Sequence, residues 1–274
     1  MRRLLERPSR VELSATGSDS PYPAEICEPP GGFPETEAQP GTAAGFIIDT
    51  VRANPGELVL YFAGPLSNLP IAVRIDPGIV PLVKSLVIMG ASVGGGGELN
   101  WWWDPEAAAI VMREPWEEVV VTTGEIGFTT FSSEQLMRRV VAAGGPFAKH
   151  VQRLYLDYEP TPGLSQWSAM WDELAVAALI DPSVIAKSEE MWLDVDTTHG
   201  PKYGHTLVWR RPGEGEPSFF LPYSGPGPID MAQCEGHLEP PEHLTPATVQ
   251  LEADIERFEA IFVELLSYDR GTER

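Results

Sequence analysis

Two short and almost uninterrupted apolar runs, Leu58-Val59-Leu60-Tyr61-Phe62-Ala63 and Leu86-Val87-Ile88-Met89, limit what this chain can fold into. Runs without polar alternation are strands covered on both faces, which is the situation of a parallel sheet between layers of helices. About twenty residues separate the two, the length of a crossover connection and not of a hairpin. Inside that crossover Ile71-Ala72-Val73 and Ile79-Val80 suit two short helical pieces around Asp76-Pro77. Upstream, Ala43, Phe46, Ile47 and Val51 fall at helical spacing and Pro55-Gly56 ends the element. Downstream, Asp104 is suited to cap a helix that opens with Pro105. Val119-Val120-Val121-Thr122 supplies a further buried strand. The expected class is α/β, a mostly parallel open sheet flanked by helices with a Rossmann-like core.

The later part of the chain predicts helices from about Ser133 to Ala143, Phe147 to Tyr158 and Trp167 to Ile180. Met191-Trp192-Leu193-Asp194-Val195-Asp196 and Thr206-Leu207-Val208-Trp209 alternate, and predict a small, exposed antiparallel addition. Pro212 to Pro246 is turn-rich, and Ile255, Phe258, Ile261, Phe262 and Leu265 mark one face of a closing helix. Near the start, Leu4 to Arg7 suits the tail of a helix and residues 11 to 16 a short strand. Residues 17 to 41 are turn-rich without periodicity, either a functional loop or a sign that something around them is missing. No repeat or linker divides the chain, so residues 1–274 are read as a single domain whose sheet covers roughly 8 to 210.

Forty acidic residues against 19 basic ones give a net charge of -21, which repels a phosphate backbone and argues against nucleic acid as a partner. No apolar run approaches the length of a membrane span, and the basic start is not followed by a signal core. With only Cys27 and Cys234 there is no disulfide scaffold, and the cytosol is the default compartment. His150, His199, His205, His237 and His243 show no zinc-ligand spacing, and no Gly-x-Ser-x-Gly elbow is present.

In an open parallel sheet the ligand lies beyond the carboxyl ends of the strands, so the segments that follow the strands carry the chemistry. Gly64-Pro65-Leu66-Ser67-Asn68 follows the first run; the second is followed by a glycine run, Gly94 to Gly97, and then Glu98-Leu99-Asn100-Trp101-Trp102-Trp103-Asp104. The glycine run is no phosphate cradle, because no Gly-Lys-Ser/Thr follows; it is either a loop over a pocket or a plain surface connection. Glu98 and Asn100, one residue apart, would face one side in extended backbone and could hold a vicinal diol, or be solvated loop residues. The three tryptophans either stack on a ligand or anchor the loop in the core. Asp172 precedes the apolar run 174–180, where a carboxylate is costly unless it caps the helix or meets a cation.

Taken together, Gly64-Pro65-Leu66-Ser67-Asn68-Leu69, Val87-Ile88-Met89-Gly90, Glu98-Leu99-Asn100-Trp101-Trp102-Trp103-Asp104-Pro105-Glu106-Ala107-Ala108 and Asp172-Glu173-Leu174-Ala175-Val176-Ala177 resemble the inosine-uridine-preferring nucleoside hydrolases. The resemblance runs from about Arg2 to Val195, with a weaker echo at Ala253 to Phe258. It implies a calcium-dependent N-glycosidase that cleaves ribonucleosides to ribose and free base, in purine and pyrimidine salvage, with a small-molecule nucleoside as partner and a dimer or tetramer as assembly. Carried onto this chain, it implies calcium ligands at the Ser67 carbonyl and the Asp172 carboxylate. It further implies ribose contacts from Glu98 and Asn100, a sugar floor at Met89, and Asn68 behind the Ser67 turn. Trp171 stands where the family has a histidine, and is expected to stack on a base or to fill space.

The family's opening Asp-x-Asp-x-x-x-Asp-Asp motif, which supplies the general base and most metal ligands, is not in the chain. The chain is therefore expected to begin inside what would be the second crossover helix, N-terminally truncated relative to the family. Its hydrolase activity as given is expected to be negligible, with a catalytically inactive nucleoside- or sugar-binding protein, or a structural role, as the alternative.

Overall fold

The computed structural model describes residues 40–157, 168–211, 219–220, 235–236 and 239–268. The readings on residues 4–7 and 11–16, on Cys27 and Cys234, and on most of 17–41 and 212–246 lie outside them. The chain divides into two compact units, one of Pro40–Phe131 with Ala169–Ala260, the other containing Ser132–Ser168 and the chain from Ile261 onward.

The first unit holds a six-stranded sheet in the spatial order Val59–Phe62, Ser85–Met89, Val119–Thr122, Ala247–Ala253, Ile185–Val195, Thr206–Trp209. Strands β1 (Val59–Phe62), β2 (Ser85–Met89) and β3 (Val119–Thr122) are parallel neighbours, with Leu60 opposite Leu86 and Val87 opposite Val120. Every residue of β2 is buried, as the unbroken apolar run requires. Helix α1 (Ala43–Ala53), α2 (Asn68–Ile75) and α4 (Pro105–Met112) share one core with the sheet, built on Val51, Leu69, Val73, Leu86, Ile88, Val111, Val121 and Leu193. Each of these side chains contributes about 1.5–3 kcal/mol by leaving water. Thr42 caps α1 through a bond from the Gly45 amide, and Asp104 caps α4 through a bond from the Ala107 amide at 3.1 Å. The short helix α3 (Leu99–Trp103) and the single turn α5 (Gly124–Gly127) follow β2 and β3 respectively, and α8 (Trp171–Ile180) packs against β2 and β3.

Several expectations are corrected. The central strand β8 (Ala247–Ala253) lies between β3 and β4 and comes from beyond the span assigned to the sheet. Strands β4 (Ile185–Val195) and β5 (Thr206–Trp209) do pair antiparallel, but β4 also pairs with β8, so they belong to the main sheet and are not an exposed addition. Met191, Leu193 and Val195 are buried against the core. Phe46 points to solvent, because the inward stripe of α1 runs through Ala44, Ile47, Ile48 and Val51. Helix α8 starts at Trp171 and not at Trp167, since Ala169 forms an extended bridge with Phe131. Strands β6 (Phe219–Phe220) and β7 (Glu235–Gly236) form a separate two-stranded ladder.

The second unit contains α6 (Glu134–Ala143), capped by Ser133, and α7 (Ala148–Val151), continued by one π-helical turn through Leu156. The expected helix to Tyr158 is thus two pieces, the last residue being outside the described range. Helix α9 (Ile255–Ser267) buries Phe258 and Ile261, while Leu265 is exposed.

Candidate functional site

A cavity of about 470 Å³ opens at the carboxyl ends of β1, β2 and β3. This is the crevice where parallel sheets bind ligands, and its size suits a small molecule. Its walls include Ala63 after β1; Met89, Ser92, Gly97, Glu98, Leu99 and Asn100 after β2; Gly124, Glu125 and Phe128 after β3; and Trp171 and Asp172 at the start of α8.

Glu98 caps α3. Its carboxylate accepts from the Asn100 amide at 3.0 and 3.1 Å and from the Trp101 amide at 3.2 Å. Burial pushes the Glu98 carboxyl above its ordinary value; bonds from the Asn100, Trp101 and Ala91 amides pull the other way, and Glu125 adds to the rise. Asn100 stands in the first helical turn, where its Nδ2 donates to Met89 O and contacts Met89 Sδ, both at 3.2 Å. Its Oδ1 finds no donor among the described residues. The expectation of an extended Glu98-Leu99-Asn100 segment is therefore corrected, because a helix begins at Leu99; both side chains nevertheless line the same cavity. Of the three tryptophans only Trp101 is an anchor, fully buried against Gly90; Trp102 and Trp103 are exposed.

Asp172 does not cap α8, whose cap position is Met170 without a side-chain bond. It sits in the first turn and reaches the cavity wall, where partial burial raises its carboxyl. Its carbonyl accepts from the Tyr61 hydroxyl at 3.0 Å; that phenol is raised by burial and then by the charges of Asp172 and Glu173. Trp171 donates from Nε1 to Gly124 O at 2.9 Å and meets Phe128 edge-on at 5.1 Å. The ring lies so close over Gly127 that an added Cβ there would come within 1.7 Å of it. Ser67 and Asn68 are not among the cavity walls. Ser67 donates from Oγ to the Asp104 carboxylate, which ties the Gly-Pro-Leu-Ser-Asn turn to the segment that caps α4.

The glycine run is fastened on both sides. Gly94 donates to Glu125 at 3.1 Å, Gly96 O accepts from the Thr206 amide at 3.0 Å, and Gly97 bridges His205. Glu125 and Phe128 were missed from sequence, although the rule that directs attention to the residues after a strand applies to β3 as it does to β1 and β2.

Calcium takes six to eight oxygen ligands. Among the described residues no three of His, Cys, Asp and Glu stand together as a metal cluster. Glu98 and Glu125 are engaged by backbone amides, so the described donors do not fit a calcium cage.

Sheet order and cavity together define an α/β protein with a cavity of small-molecule size at the carboxyl ends of parallel strands. A model of the family described as inosine-uridine preferring nucleoside hydrolase matches residues 8–259, and the chain belongs to that family. It is 31% identical over 186 residues to the pyrimidine-specific ribonucleoside hydrolase RihB of Escherichia coli O139:H28, a match over 62% of this chain and 56% of that protein. Among solved structures it resembles the purine-preferring ribonucleoside hydrolase of Gardnerella vaginalis, with a TM-score of 0.63 at 22% identity over 85% of this chain and 67% of that one. The inosine-uridine preferring nucleoside hydrolase of Bacillus anthracis matches with a TM-score of 0.62 at 20% identity, over 86% and 68%. These structural likenesses are likenesses of fold.

Proposed function

We propose that the cavity takes a ribonucleoside and that the protein acts on its N-glycosidic bond as a ribonucleoside hydrolase. One observation carries this reading: Glu98, Glu125 and Asp172 share walls with the Asn100 amide and the Phe128 and Trp171 rings, and no cationic side chain is among them. Carboxylates and an amide suit sugar hydroxyls, aromatic rings suit a planar base, and negative charge suits the oxocarbenium character that develops when a glycosidic bond breaks. In this arrangement Met89, Glu98 and Asn100 take the sugar end, and Trp171 and Phe128 the base end. The Nε1 of Trp171 is already committed to Gly124, so Trp171 offers its ring and no proton to a departing base.

The alternative is a nucleoside- or sugar-binding protein without turnover. The two readings part in one experiment. Isothermal titration with inosine and with uridine measures binding, and reducing-sugar release with added calcium or chelator measures turnover. The expected outcome is binding of nucleoside, weakened about tenfold by Asn100→Ala, together with sugar release; binding without release removes the hydrolase reading. Robust calcium-dependent release removes the binding-only role. Absence of binding by folded protein removes the nucleoside reading altogether.

A further inference from the structure

Glu125 is a wall residue with a second task. Its Oε1 accepts from Ser92 Oγ at 2.6 Å and from the Gly94 amide at 3.1 Å, and the Val93 amide and its own amide also point to the carboxylate. Burial pushes the carboxyl up, yet these bonds together outweigh burial and leave it below the ordinary glutamate value. The loop therefore wraps an ionised carboxylate with donors, an arrangement in which hydrogen bonds are stronger than between neutral groups. From the other side the Ser92 amide donates to Thr206 Oγ1 at 3.0 Å, the Thr206 amide donates to Gly96 O, and His205 Nδ1 lies 3.1 Å from Gly95 O. Gly95 has φ +78°, a left-handed conformation that favours glycine, and four consecutive glycines left alone would sample many others.

The downstream end of this loop is Glu98. The turn that carries Glu125 also abuts it: an added Cβ on Gly124 would stand 3.2 Å from Glu98 Cγ, and the Gly124 amide donates to Ala91 O at 3.0 Å. We propose that Glu125 is a positioning residue, which binds Ser92 and Gly94, fixes residues 92–97 as the rim of the cavity and thereby sets the stance of Glu98 toward a ligand. The proposal rests on the reading of the cavity as a nucleoside site.

The test pairs amide hydrogen exchange of residues 93–97 in the ligand-free protein with calorimetric affinity for inosine and uridine. Glu125→Ala is expected to speed exchange of these amides, relative to core amides, by about tenfold and to weaken nucleoside binding by about tenfold. Glu125→Gln keeps an oxygen for Ser92 and Gly94 and is expected to hold loop exchange within about threefold of the native protein. A role in general stability alone would lower the melting temperature without separating loop from core amides. Unchanged loop exchange in Glu125→Ala overturns the proposal, and so does faster exchange with unchanged affinity. If Glu125→Ala does not fold, Ser92→Ala carries the same expectation for the loop amides, and unchanged exchange there overturns it. Native protein that binds neither nucleoside sinks the reading of the cavity, while the exchange measurement still decides whether Glu125 holds the loop.

Discussion

Glu98 has to meet two demands. As the cap of α3 it accepts backbone amides, which favours the ionised form, but it is only 9% exposed, which favours the neutral one, and burial dominates. Its folded pKa therefore lies above the unfolded value. Between the two the folded state binds more protons than the unfolded state, so this group's contribution to stability is fully present below the unfolded pKa and is lost as pH rises through the folded one. Glu98→Gln keeps an oxygen for the cap and removes the buried charge. Melts across this pH range are expected to show a flatter profile for Glu98→Gln and, at neutral pH, a midpoint equal to or above the native one; a midpoint that fell at neutral pH would mean that the charge stabilises the cap. Sequence showed that Glu98 and Asn100 belong together, because their spacing is local. It could not show that a helix starts between them, since that depends on the amides of residues 100 and 101 finding the Glu98 carboxylate.

At the scale of elements, strands β1, β2 and β3 and helices α1, α2 and α4 were legible because their apolar runs, proline and glycine stops and caps are all local signals. Strand β8 was not read, although Ala247, Val249 and Leu251 alternate with Thr248, Gln250 and Glu252; seven residues of mild hydropathy after a turn-rich stretch give a weak signal. What makes it central is pairing on both edges. Element positions are also fixed by single long-range bonds. Arg113, at the end of α4, binds Asp194 in β4 through Nε at 3.1 Å and Nη2 at 2.9 Å. The Asp194 side chain is 8% exposed and that of Arg113 44%, so the two partners are not equivalent. Arg113→Ala strands a buried carboxylate and is expected to cost about 2–3 kcal/mol, whereas Asp194→Ala leaves a guanidinium that water can solvate and is expected to cost less. Urea denaturation of both variants checks the order, and equal losses would contradict the asymmetry.

For the whole molecule, a net charge of -21 means that like charges repel in the folded state more than in the expanded one. The melting temperature is therefore expected to rise when salt is increased from about 0.01 M to about 0.15 M, where the Debye length falls to about 8 Å. A midpoint that fell would show that exposed pairs such as Arg52 with Asp76 outweigh the net repulsion. By itself the sequence determined the class of fold and pointed to the end of the sheet at which the cavity opens. Both follow from hydropathy period, cap chemistry and the rule that ligands sit beyond strand ends, each readable within about twenty residues. Only the tertiary structure decided that β8 divides the parallel strands from the antiparallel ones and that the Ser67 hydroxyl reaches Asp104. It alone decided that Trp171 spends its donor on Gly124 and that Glu125 holds the glycine loop. These are contacts between segments 31 to more than one hundred residues apart, and no local pattern encodes which of several compatible partners a hydrogen-bonding group will meet.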